Sequence, residues 1–177
     1  MSRDHSTMTV TVTRRVQAGA DRMWQVISTP GYLEPCHPFC ERNPVQSWSG
    51  EDAEDTIRYY GGRVVQRRFN AWLEGAGYDL VVVDTAGVEQ ASVRWRIKAG
   101  NDTACRLSVS LRFLGLDHLP AAIRWTLHHF LVRPRMKRYL EAVVAGVVYY
   151  AEVGEPVVRN QFGSHPWFSP PVDGVGH

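Results

Sequence analysis

Residues 91–113 read ASVRWRIKAGNDTACRLSVSLRF, and the fold turns on how this stretch is read. Ala91, Val93, Trp95 and Ile97 alternate with Ser92, Arg94, Arg96 and Lys98. After Gly100 to Asp102, Cys105, Leu107, Val109, Leu111 and Phe113 alternate with Arg106, Ser108, Ser110 and Arg112. A period of two puts every second side chain on the same side of an extended chain, so each run is a strand with one dry and one wet face. The glycine between them marks the turn of an antiparallel pair.

Toward the N-terminus, nearly everything from Val45 onward reads as strand, with turns at Gly61-Gly62, Gly75 to Gly77 and Ala86-Gly87. An antiparallel sheet of about six or seven strands with one solvated face must cover the other with something. The C-terminal segment supplies the cover. Pro120 suits a first helical turn, and Ile123, Leu127, Phe130, Leu131, Met136, Leu140, Val143, Val147 and Tyr150 then recur at mostly helical spacing. Gly154 and Pro156 end the run, and Pro134 interrupts it, which predicts one long helix kinked at the proline. Before the sheet, Met8, Val10 and Val12 alternate with threonines as a first strand. Met23, Trp24 and Ile27 follow at helical spacing between Asp21 and Pro30. Pro30 to Pro44 reads as a loop or a single further turn of helix.

The chain has 177 residues, enough for one domain with a sizeable core, and is 44% hydrophobic and 21% charged, an ordinary globular balance. Twenty basic against 18 acidic residues leave a net charge of +2, too little for long-range attraction to nucleic acid. The first twenty residues contain no signal-like apolar run, and the longest aliphatic stretch, Ala142 to Ala151, is about half of what a membrane-spanning helix needs. Three cysteines, Cys36, Cys40 and Cys105, do not make a disulfide framework. A soluble cytoplasmic protein is expected. The phosphate loop, dinucleotide fingerprint, nucleophile elbow and zinc-protease motif are all missing, and no cofactor is expected.

Strand, short helix, antiparallel strands and long terminal helix, in that order, resemble the START-like superfamily of SRPBCC proteins, which includes Bet v 1-like pollen allergens and polyketide cyclases. The resemblance is carried by VQAGADRMWQVIS at residues 16–28 and by VVAGVVYYAEVGEPVVRNQFGSHPWFSPP at residues 143–171, and in element order it covers about residues 8–155. It implies an α+β helix-grip domain over 1–155, a curved antiparallel sheet wrapped around a long C-terminal helix, followed by an aromatic, proline-rich extension over 156–177. It also implies a ligand cavity between the concave sheet face and that helix. Members of the superfamily bind lipids, hormones, quinones or polyketides, and only some are catalytic. The expected function is binding or transfer of a small hydrophobic ligand, with a polyketide cyclase, aromatase or dehydratase-like enzyme as the alternative.

Under that resemblance the cavity should draw on Trp24, Tyr59, Arg67, Trp95, Val109 and Phe113, and on Trp125 and Tyr139 of the helix. Ile97, Leu111, Phe130 and Val143 belong to the same stripes, which plain core packing would equally produce. Arg67 stands out because Val65, Phe69, Ala71 and Leu73 at the neighbouring odd positions are apolar. A buried guanidinium must meet a carboxylate or a ligand oxygen, unless a bulge turns it outward or Asp55 or Glu74 pairs with it at the rim. His37, in the loop with Pro38 and Phe39, is a candidate acid or base or an orienting group, against a solvent-facing or capping role. Tyr59 and Asp79 are further acid–base candidates. Cys36, His37 and Cys40 lack a fourth ligand and paired spacing, so no metal is expected, and adjacent His128 and His129 point to different helix faces. Arg133, Arg135, Lys137 and Arg138 form a basic run that is either a solvated face or a transient contact for an acidic lipid headgroup or a partner. The aromatic tail with Phe162, His165, Trp167 and Phe168 should dock at the pocket end, across the sheet, or onto a second subunit of a homodimer.

Overall fold

A computed structural model describes residues 9–171. The two alternating stretches form β7 (Glu89–Asn101) and β8 (Ala104–Phe113), paired antiparallel with Trp95 opposite Val109 and Val93 opposite Leu111. The remaining strands are β1 (Thr9–Val16), β2 (Cys40–Arg42), β3 (Val45–Ser47), β4 (Glu54–Tyr59), β5 (Val64–Leu73) and β6 (Gly77–Val83). They lie in one antiparallel sheet of order β1-β8-β7-β6-β5-β4-β2, with β3 also on β4. β1 closes back on the last strand, and register shifts in β5, β6 and β7 curl the sheet into a half-barrel. Its wet face carries polar ladders such as Thr11 to Ser110 and Thr13 to Ser108, each at 2.8 Å.

Between β1 and β2 the chain makes α1 (Ala20–Ile27) and the single turn α2 (Leu33–Cys36). α1 buries Met23, Val26 and Ile27, and Trp24 on its flank joins Trp72 and Tyr78 in an aromatic cluster. The strand β2 lies inside the stretch expected to be loop, an edge strand too short to show a period.

The C-terminal helix is one long element, as expected, but a π turn accompanies Pro134 and the first part is exposed. It starts at Ala121 and ends at Val153, where Gly154 takes the left-handed conformation at φ 80° that only glycine adopts without strain. α3 (Ala121–Leu127) and α4 (Arg133–Val153) are joined without a break by a π-helical turn over His128–Val132. Pro134 follows directly. A proline has no N–H for the carbonyl one turn back, and its ring crowds that carbonyl. The wider π turn accommodates both problems. The stripe over 123–131 does not face the core. Ile123, Trp125 and Phe130 are 52%, 57% and 69% exposed, because the concave face is filled from Val132 onward and α3 runs beyond it. Among the described residues no helix is long and apolar enough to cross a membrane.

α4 sits in the sheet with Leu140, Val143, Val144 and Val147 buried, side chains whose burial stabilises by roughly 1.5–3 kcal/mol each. Its depth is set at Gly146. A Cβ there would overlap the carbonyl oxygen of Cys36 and lie 3.0 Å from Pro38 Cδ, so the absent side chain lets the helix rest on the loop that carries His37. Alanine ordinarily stabilises a helix interior by about 1 kcal/mol over glycine. Here Gly146→Ala is expected to destabilise by roughly 1–3 kcal/mol through overpacking. Thermal denaturation checks it, and a raised melting temperature would contradict the close approach.

Candidate functional site

Between the concave sheet face and α4 lies a cavity of about 320 Å³, within the range of small-molecule sites. Its apolar wall comes from Val93 and Trp95 on β7, Val109, Leu111 and Phe113 on β8, and Leu140 and Val143 on α4. Trp167 and Phe168 of the tail close one side. Several contacts fasten the tail there. Gly61 N–H donates to the Phe168 carbonyl at 2.8 Å. His165 Nε2 meets the Arg135 carbonyl at 3.0 Å, and the Arg135 guanidinium lies over the Trp167 ring.

Seven polar side chains interrupt the apolar wall: Arg63, Asp84 and Gln90, of which Gln90 donates to Asp84 at 2.8 Å, and a group of four made by His37, Tyr59, Arg67 and Tyr139. Arg67 occupies the dry face of β5 with only 3% of its surface exposed. Asp55, opposite it on β4 and fully buried, takes its Nε at 2.7 Å and also binds the outer nitrogen, forming a two-pronged ion pair. The pair lies in the interior rather than at the rim. The other terminal nitrogen donates to Tyr32 Oη at 3.0 Å, and Tyr32 in turn shares a hydrogen bond of 2.6 Å with Tyr78. Burial alone would lower the Arg67 pKa. The Tyr32 oxygen and the Asp55 carboxylate more than reverse this, so the guanidinium stays charged. A guanidinium carries five N–H donors. Asp55 and Tyr32 engage three, and the remaining two have no protein partner among the described residues.

His37 is held by the turn after α2, 3% exposed, with Nδ1 accepting the Phe39 N–H at 3.1 Å. Burial, reinforced by the positive charge of Arg67, pulls its pKa down to about 3, so the ring is neutral at physiological pH. With Nδ1 an acceptor, the hydrogen-bond network assigns the ring proton to Nε2, which donates to Tyr139 Oη at 3.1 Å. Tyr139 Oη lies 2.9 Å from Tyr59 Oη. Whichever tyrosine donates to the other, one hydroxyl hydrogen of the pair is left over at the cavity wall. Burial pushes Tyr59 up to about 12 and raises Tyr139 as well, so both stay protonated. The polar part of the wall therefore offers spare hydrogen-bond donors and holds a cation that its partner carboxylate balances.

The residues expected at the site separate clearly. His37, Tyr59, Arg67, Trp95, Val109, Phe113 and Tyr139 line the cavity. Trp24 and Trp125 do not. Trp24 donates its indole N–H to Glu74 at 2.9 Å at the sheet end, and Trp125 lies on the surface. Asp79 points to the wet face, 2.6 Å from Arg96. Cys36 and Cys40 turn their thiols to the Tyr32 and Arg42 carbonyls rather than toward His37, and burial raises both, Cys40 to about 12. His128 is buried and His129 stacks on Trp125, so the two do point apart. Asp55 is one of the two partners that the sequence offers for Arg67, while nothing in the sequence marks Tyr32.

No protein-family profile matches the chain, and no curated protein matches it in sequence. Solved structures share its fold. DynU16, from the dynemicin biosynthetic locus, is 17% identical over 86% of this chain with a TM-score of 0.63, and this chain spans about half (51%) of its length. Zhui aromatase/cyclase from Streptomyces sp. R1128 is 16% identical, with 84% of this chain and 98% of that one covered and a TM-score of 0.58. Norcoclaurine synthase from Thalictrum flavum is 12% identical, with 80% and 91% covered and a TM-score of 0.59. These likenesses establish the Bet v 1-like helix-grip fold, and a fold by itself does not fix an activity.

Two results are expected from the polar groups. Removing one partner of a buried ion pair strands the other, so Asp55→Ala should cost roughly 3–5 kcal/mol in chemical denaturation, while the double variant Asp55→Leu with Arg67→Met should recover most of it. A single variant as stable as the parent would contradict the buried pairing. For His37 the folded pKa lies below the usual 6.5, so the unfolded chain binds the extra proton. Its contribution is complete above pH 6.5 and is lost as pH falls toward about 3. His37→Gln keeps an N–H for Tyr139 and removes the titration, so its stability should fall less steeply between those pH values. Parallel curves would place His37 in water.

Proposed function

We propose that this protein binds a small, largely apolar ligand in the cavity and holds it by an electron-rich oxygen, a ketone, enol or phenolate, against the Tyr59–Tyr139 pair and Arg67. The observation that carries the reading is the imbalance of the polar wall. Beside the hydrocarbon of β7, β8 and α4 its spare groups are donors, two on the guanidinium and one on the tyrosine pair, while Asp84 and Gln90 on the same cavity are hydrogen-bonded to each other. An unpaired donor in such a place costs about 1–3 kcal/mol, and a ligand oxygen removes the cost. The helix-grip fold, found also in aromatase/cyclases, supports a hydrophobic cavity as the functional centre.

Binding or transfer is favoured over catalysis by a property of His37. A general base must accept a proton near neutral pH, and this ring has its acceptor nitrogen occupied by the Phe39 N–H and a pKa near 3. Tyr59, near 12, is no better placed as an acid. These groups orient and stabilise an oxygen rather than move protons.

The reading is tested with a matched pair of probes, 2-acetylnaphthalene and 2-ethylnaphthalene, which share shape and differ in one carbonyl oxygen. The ketone should bind roughly threefold to tenfold tighter, the worth of one net hydrogen bond. The variant with Tyr59→Phe, Tyr139→Phe and Arg67→Met together with Asp55→Leu, checked for folding by circular dichroism, should bind both equally. Equal binding by the parent protein would overturn the oxygen-anchoring reading.

A further inference from the structure

The segment between β8 and α4 is the part of the chain that the cavity does not use. It is bounded by Phe113 and Met136, both on the cavity wall, and none of residues 114–135 lines the cavity, although Val132 already packs in the core. α3 buries none of its seven residues. It is the first part of the helix that continues through the π turn into α4, and its apolar side chains are left in solvent. Trp125, His129 and Phe130 form one contiguous aromatic patch. Trp125 stacks on His129 at 5.2 Å, His129 meets Phe130 at 5.1 Å, and Trp125 meets Phe130 at 6.4 Å. Leu131, 39% exposed, follows Phe130, and Ile123 lies about two turns before Phe130.

The charges around this patch are of one sign. Between Asp117 and Glu141 the chain carries Arg124, Arg133, Arg135, Lys137 and Arg138 and no acidic residue. Among the described residues only Lys137 of these makes an ion pair, a long one of 3.9 Å to Glu141, and Arg135 is taken up with Trp167. An exposed helix with tryptophan and phenylalanine on its surface and flanking arginine and lysine has the chemistry of a segment that lies in a membrane interface, rings at the acyl boundary and cations at the headgroups. With none of its residues buried, α3 stands out from the surface and does not line a groove of its own. A lipid surface, which yields to the shape pressed into it, suits a projection better than a folded partner does.

We infer that α3 and the π-helical turn dock this protein on an anionic lipid surface, with Trp125 and Phe130 inserted and Arg133, Lys137 and Arg138 at the headgroups. Because the docking segment lies between Phe113 and Met136, both on the cavity wall, docking places one rim of the cavity beside the lipid. The docking stands on the patch alone, so failure of the ligand reading leaves it intact.

The test is flotation of the full chain with vesicles of phosphatidylcholine alone and of phosphatidylcholine with phosphatidylserine in equal parts. The protein should float with the anionic vesicles, and Arg133→Gln should lower the partition coefficient roughly fivefold, since one cation near such a surface contributes about 1 kcal/mol. Trp125→Ser with Phe130→Ser should abolish flotation with thermal stability unchanged, because both side chains are exposed in the free protein. On anionic vesicles the tryptophan emission should shift to the blue, and Trp125→Phe should remove the shift. No flotation on anionic vesicles, or flotation undiminished by the double serine variant, overturns the inference. So does concentration-dependent dimerisation that the serine variant abolishes, which would make a second copy the occupant of the patch.

Discussion

A guanidinium placed on the dry face of a sheet cannot be left to itself, and much of this interior follows from satisfying Arg67. Desolvating an unpaired charge costs several kcal/mol, more than any one apolar side chain contributes. Asp55 is fully buried on the adjacent strand to balance the charge, and Tyr32 and Tyr78 extend the arrangement with their hydroxyls. The same positive charge adds to burial in keeping His37 neutral, which sets the direction of the hydrogen bonds running from Phe39 through His37 to the tyrosine pair. Such a pair is a weak source of net stability, since a hydrophobic replacement of both partners is often as stable. Its value lies in presenting fixed donors to an apolar space.

The cavity around those donors is assembled from distant parts of the chain. The curled sheet supplies one wall, and α4 supplies another at a depth that Gly146 permits. The tail closes a side with Trp167 and Phe168, while Arg63 lies over the Phe168 ring and Arg159 over Tyr60. Aromatic rings with cations above them give this closure more than area burial alone. The segment from α3 through the π turn is built differently. Its rings and cations face outward, so the molecule has one apolar surface turned in around a cavity and a second turned out beside it.

The sheet was legible because period-two alternation depends only on backbone geometry, and residues 91–98 and 105–113 keep it without a fault. Arg67 was legible for the converse reason, as the polar residue in an apolar row. The chain from His37 to Tyr139 to Tyr59 was not. Its members are 102 and 80 residues apart in sequence, and only the curl of the sheet and the seating of α4 bring them together. Trp125 and Phe130 misled because helical spacing of apolar residues looks the same whether the stripe meets the core or the solvent. Where the sheet ends decides between them, and spacing carries no information about that. Pro134 announced a disturbance in the helix, but that a π turn absorbs it depends on packing that the proline does not encode. The tail was too aromatic to be left in water, though the chain alone left its docking place open.

The central claim, a ligand oxygen held by donors in an apolar cavity, is tested most directly by a crystal structure of the protein with 2-acetylnaphthalene. The account predicts the naphthalene between β8 and α4, with its carbonyl oxygen about 2.6–3.2 Å from a Tyr59, Tyr139 or Arg67 donor. A probe bound outside the cavity, or inside it with the carbonyl turned toward the hydrocarbon wall, would contradict it.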